Sequence, residues 1–281
     1  MVKQPKNYLF LFFIACFFSS CYPEWKMAKS YIESEPDISI LILPTDYVFK
    51  KNLKVDEIKV SENLSEWEVD SALMANSFFL QQVSDSIFLE VFVNSMIREF
   101  EELGLKVYTD NSLDSFLFIK TPAYIFNIAQ IELEEHYTVH EDQEDFGDYV
   151  YYKNVDLNAV SYNFWFEVSE LNNETEKRKL LFTTETINDV VFGYFAENLF
   201  TGAVKYKYRV NEIDIDIIYR YCTTFGRRYA GYTYDYLMNK YLDEHWPANK
   251  KRRYYMQYKR ENNSLDPTWK DKFGVMDEDV N

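Results

Sequence analysis

His136 and His140 stand four residues apart, in a run that also holds Glu134, Glu135, Glu141, Asp142, Glu144 and Asp145. Two imidazoles with a carboxylate form a zinc-type ligand set, and carboxylates alone suit calcium. The spacing works on one face of a helix. The flanking residues, however, predict a strand end followed by a solvated acidic loop over 134–148. The acidic run has no calcium-loop spacing with a turn glycine. No metal and no cofactor is therefore expected. Cys222 lies among Tyr219, Tyr221 and Phe225 in a helical pattern and reads as a small buried hydrophobe. G-x-S-x-G, the phosphate-loop glycine motif, H-E-x-x-H and C-x-x-C do not occur. With 46 Asp and Glu residues, a glycosidase-like pair cannot be picked out by spacing alone.

The amino terminus carries chemistry of another kind. Lys3 and Lys6 precede an apolar run, YLFLFFIACFF over 8–18, followed by Ser19, Ser20 and Cys21. A short basic region, an apolar stretch and small residues at its end describe an export signal. The run is shorter than the roughly 20 residues that span a bilayer as a helix. Cysteine directly after two small residues resembles the lipobox of bacterial lipoproteins, with Phe18 where Leu is commonest. The resemblance implies cleavage before Cys21 and acylation of its thiol. Phe13-Ile14-Ala15-Cys16 is a rival box, but cleavage there would leave Phe17 and Phe18 beside the anchor. Residues 1–20 are read as the signal and 21–37 as a lipidated tether.

Lys250, Lys251, Arg252, Arg253, Lys259 and Arg260 alternate with Tyr254, Tyr255 and Tyr258. Such a run suits an anionic headgroup or an acidic partner, or it folds back on the chain's own acidic surface. The formal net charge is −16, and removing residues 1–20 with their two lysines takes it to −18. A body of that sign repels phosphate backbones and anionic headgroups at long range, and nucleic acid is not expected as a partner. Phe192, Phe195 and Phe200 belong to an apolar, loop-like cluster. Exposed, it is a contact patch; buried, it is an insertion packed on the core. The candidate partner-binding residues are thus Phe192, Phe195, Phe200, Arg252, Arg253 and Tyr254. Binding through the basic run should weaken with salt, and binding through the aromatic cluster should not.

The elements that must position these residues predict an α/β fold of the α+β kind, 38–247: a mixed sheet flanked by two main helices, with a β-hairpin and a carboxy-terminal helix. Residues 38–43, ISILIL, read as a buried strand. Residues 66–82 read as one helix. Phe88, Phe92, Met96 and Phe100 recur at i, i+4 and predict a helix over 84–103, stopped by Gly104. Strands follow at 105–109 and 123–133, with a short helix over 110–118 between them. In 123–133, Tyr124, Phe126, Ile128, Gln130 and Glu132 fall on one face. Residues 157–170 and 179–187 suit an antiparallel hairpin. Gly193 and Gly202 interrupt any pattern in 188–213. Ile218, Cys222, Phe225, Tyr229, Tyr232 and Tyr236 predict a helix over 214–244, and 248–281 reads as a polar tail that wraps the surface or frays.

Three segments carry a resemblance: ISILILP at 38–44, LGLKVYTDNSLDSFL at 103–117, and 123–132 leading to the hairpin at 157–187. Their order resembles the group that includes the curli-secretion lipoprotein, the penicillin-binding-protein activator lipoproteins and the amino-terminal domain of TolB. The export signal and the Tyr- and Phe-rich acidic body also resemble Bacteroidetes-type envelope lipoproteins. The resemblance implies a non-catalytic adaptor or accessory subunit of an envelope assembly, held at the outer membrane by lipid on Cys21. The alternatives are an envelope hydrolase using carboxylates not identified by sequence, and a surface ligand-binding lipoprotein.

Overall fold

The computed structural model describes residues 23–55, 65–171, 173 and 178–276. Cys21 and the signal lie outside the described residues. The fold is mixed α/β, with five α-helices among the described residues. A seven-stranded mixed sheet runs in the order β11-β6-β5-β4-β1-β3, with β2 paired to β4 further along. Its strands are β1 (Ser39–Leu43), β2 (Phe49–Asn52), β3 (Lys106–Tyr108), β4 (Ala123–Phe146), β5 (Tyr149–Glu170), β6 (Lys179–Asn188) and β11 (Gly274–Met276). β1 is parallel to both its neighbours, which explains its unbroken apolar sequence.

Two helices cover one face, namely α3 (Asp85–Glu102) and α5 (Ile215–Glu244). The stripe Phe88, Phe92, Met96 and Phe100 is fully buried, as its spacing predicts. Gly226 brings the two helices together. A Cβ there would stand 2.4 Å from the Phe92 carbonyl oxygen and 2.7 Å from Ser95 Oγ. Beneath them Tyr162, Phe164 and Phe166 form a row of near-parallel rings on β5, and Phe225 and Tyr229 meet that row edge-on. Such ring pairs contribute about 0.5–1.5 kcal/mol each beyond their burial. A smaller cluster on the opposite face seats Phe116, from α4 (Leu113–Leu117), against Leu41 and Ala123.

Five expectations need correction. Residues 66–82 divide into α2 (Glu66–Ala75) and a 3-10 turn at Leu80–Gln82. The acidic segment 134–148 is no loop: β4 continues to Phe146 and pairs with β5 throughout, with Asp142 opposite Lys153. The core face of β4 also changes parity. A bulge between Ile128 and Gln130 turns the buried set from Tyr124, Phe126 and Ile128 to Ile131, Leu133 and Glu135, because one extra residue inverts every later side chain.

The supposed tether contains α1 (Pro23–Glu33). Proline suits a first helical position. Glu24, Ala28 and Tyr31 then form a buried i, i+4, i+7 face, with the Tyr31 ring 5.0 Å from that of Tyr241 on α5. The segment expected to wrap the surface or fray as a polar tail instead folds into a hairpin, β9 (Tyr255–Lys259) and β10 (Ser264–Thr268), before β11 joins the sheet edge. Hairpin and α1 both pack on α5, so the second half of that helix is buried on nearly all sides.

Candidate functional site

β4 and β5 outrun their neighbours. Pairing with β2 ends at Glu135 and pairing with β6 ends at Ala159. Beyond that point 136–146 and 149–158 pair only with each other among the described residues. At about 3.4 Å per residue, this ribbon extends about 35 Å. Beside it lies a second hairpin, β7 (Val190–Glu197) and β8 (Val204–Asn211), in the segment that the two glycines had made unreadable. The two hairpins touch: the Tyr206 hydroxyl donates to Asp142 at 2.9 Å, and the Phe195 ring lies 6.3 Å from that of Tyr151. Gly193 leaves room for Tyr206 at this seam, because a Cβ there would overlap the Tyr206 ring unless that side chain moved.

Alternation divides the candidate aromatic residues. Phe195 points into the seam and is buried, which removes it from the contact surface. Phe192 and Tyr194 point outward, 61% and 59% exposed, and Leu199 and Phe200 at the tip are almost fully exposed. Phe192 pairs with Arg209, Tyr194 with Lys207 and Ala196 with Lys205. Directly paired residues share a face, so the outward surface is aromatic along β7 and basic along β8. The apolar cluster thus borders a charged strand, whose signal in the sequence is the period-2 spacing of Lys205, Lys207 and Arg209.

The base of the arm is held by a buried ion pair. Lys54 Nζ lies 2.8 Å from Glu135 Oε1, both side chains being 0% exposed. Lys54 also donates to Asn158 Oδ1 at 2.7 Å. Glu135 accepts from Ser77 Oγ and from the backbone N–H groups of Phe78 and Phe79, at 2.9–3.0 Å. Burial alone would raise the Glu135 carboxyl; Lys54 and the two backbone donors outweigh it and hold the group below its usual value. Asp189, at the entry to β7, accepts from the Asn158 N–H and side-chain amide and from the Ile213 N–H. One network thus ties β4, β5, the root of β7 and the start of α5.

His136 and His140 lie on β4 four residues apart, about 13 Å along an extended strand, too far to share an ion. His136 Nε2 instead meets Ser161 Oγ at 2.8 Å. Among the described residues no group of three or more His, Cys, Asp or Glu is placed to hold a metal ion. Cys222 is buried, its Sγ 3.3 Å from the Phe88 carbonyl oxygen, and burial pushes the thiol well above its usual value. The basic run does not act as one patch. Arg252 is spent inside the fold, donating to the Asn239 carbonyl and side-chain oxygens and pairing with Asp243. Arg260 clamps Glu99 with help from Arg227. The Arg253 backbone N–H donates to buried Glu24, and Tyr254 packs on Trp269.

A cleft of about 490 Å³ runs between α3, α5 and β9, lined by Glu99, Arg227, Asp235, Gln257 and Arg260 among others. Its two innermost carboxylates are already engaged. Glu99 is held by the two guanidiniums, and Asp235 accepts the Tyr258 N–H at 2.8 Å while burial pushes its carboxyl well above the ordinary range. Among the described residues, no helix is long and apolar enough to cross a membrane. No protein-family model matches the chain, and no curated protein matches it.

Proposed function

We propose that the protein is an exported, lipid-anchored adaptor that grips another envelope protein with the outward face and tip of the β7–β8 hairpin. The carrying observation is the grouping of Phe192, Tyr194, Leu199 and Phe200 with Lys205, Lys207 and Arg209 on one projecting element. Large exposed apolar groups in one place favour association, and Tyr, Phe and Arg concentrate binding energy at protein interfaces. Three cations on that face of an otherwise acidic chain match a partner whose surface is acidic around an apolar hollow. The Lys54–Glu135 network supports the reading, since a rigidly based arm loses less conformational entropy on binding. The apolar run ending at Ser19-Ser20-Cys21 supports export and a lipid anchor on Cys21.

The test compares wild type with Phe192→Ser/Phe200→Ser and with Lys205→Glu/Arg209→Glu, each purified from native membranes together with bound proteins. Both variants should lose the same partner while keeping the wild-type melting temperature. Truncating an anchor residue at such a surface costs about 2 kcal/mol or more. Retention of every partner by both variants would remove the hairpin from the account.

A further inference from the structure

We infer that the hollow beside Pro23 is a membrane-docking face that seats the protein on anionic phospholipid headgroups. Pro23, Trp246, Lys250, Lys251, Arg253 and Trp269 are among the residues that line a concavity of about 740 Å³. Trp269 is 78% exposed and lies tilted against Tyr254, with ring centroids 4.9 Å apart. Lys250, Lys251 and Arg253 are exposed around it. Within the same region Glu24 is buried, and Asp243 is paired with Arg252. The lining thus sets Lys250, Lys251, Arg252 and Arg253 against the single acid Glu24, which makes the hollow positive on a chain whose net charge is −16.

Indole and phenol rings favour the headgroup level of a bilayer, apolar body inward and polar edge outward. Lysine and arginine next to an anionic leaflet are attracted by its surface potential, over a range set by salt. The position of the face fixes the choice of occupant. Cys21 is two residues before Pro23, so chain connectivity alone keeps its α-carbon within about 7 Å of that of Pro23. If acyl chains enter the bilayer there, the face beside Pro23 is the one pressed against the headgroups. This inference rests on the anchoring at Cys21 proposed above for its setting, but the chemistry of the face can be read without lipid.

The test uses residues 21–281 carrying Cys21→Ser, a chain that keeps every described element. Its co-sedimentation is measured with phosphatidylcholine vesicles, with and without phosphatidylglycerol. Partition should be strong only with phosphatidylglycerol and should fall in high salt. Lys250→Glu/Lys251→Glu should lower it by about 30-fold or more, since two attractions are lost. Trp269→Ala should lower it at unchanged net charge. Both variants alter exposed residues, and their melting temperatures should equal that of the parent. Equal partition onto both kinds of vesicle, or no response to either variant, overturns the docking face. Mass analysis of Cys21 in the full chain from membranes decides the anchor separately. An unmodified Cys21 with intact vesicle partition refutes the anchor and upholds the face; an acylated Cys21 without vesicle partition does the reverse.

Discussion

Replacing Lys54 by Met should loosen the arm at its root. The ammonium is fully buried, with Glu135 and Asn158 as partners at 2.8 and 2.7 Å. Methionine fills much of the same volume but leaves the carboxylate buried without its counter-ion. Breaking a buried pair in this way costs about 3–5 kcal/mol. Glu135 retains three donors, from Ser77, Phe78 and Phe79, which places the expected loss near the lower figure, about 3 kcal/mol. Urea unfolding at neutral pH measures it. The pH dependence provides a second check. In the native chain the Glu135 carboxyl is held below its usual value, so its contribution is present above about pH 4.3 and is lost as pH falls through the lower folded value. In Lys54→Met, burial dominates and the folded value moves up. The variant then sheds its unpaired charge on acidification, and the gap between the two proteins narrows towards pH 4. A variant as stable as the parent at neutral pH, or a gap independent of pH, would refute the assignment of this pair as the clamp.

Gly226→Ala should destabilise the protein by about 1–3 kcal/mol in the same unfolding assay, because the added methyl overlaps the Phe92 carbonyl and overpacks the α3–α5 contact; a gain, as expected for alanine in an open helix, would contradict the close approach. Gly193→Ala should displace Tyr206 from Asp142, and hydrogen exchange of β7 and β8 should rise relative to the parent while the core signals stay unchanged. Fatty-acid labelling should appear on the full chain and vanish in Cys21→Ala; equal labelling of both would point to Cys16 or to no lipid. Partner binding through β7–β8 should weaken as salt rises, since Lys205, Lys207 and Arg209 share the surface with the aromatic rings.

The apolar periodicity was enough to place the centre of the fold. The i, i+4 stripe of α3 corresponds to one buried face, the continuous run of β1 to burial on both faces of the sheet, and the 3–4 step of α5 to the side it turns to the core. Legibility failed where burial was shared or absent. The outer half of β4 has no core to face, so its side chains are mostly polar and imitate a loop; only pairing with β5 reveals the strand. The bulge after Ile128 inverted the faces, and no residue type announces it. Phe195 and Phe192 are chemically alike and three residues apart, yet strand parity buries one and exposes the other. Lys54 and Glu135 are 81 residues apart, a pairing that spacing cannot suggest. Arg252 belonged by composition to a basic patch, but Asn239 and Asp243 draw it into the fold.

An adaptor of this design must touch its partner with the tip of the β7–β8 hairpin in the cell. A photo-reactive residue at position 200, compared with one at exposed position 67 on α2, measures this directly. A discrete covalent adduct should form from position 200, be abolished by Lys205→Glu/Arg209→Glu in the same chain, and be absent from position 67. No adduct from position 200, or the same adducts from both positions, would contradict that contact.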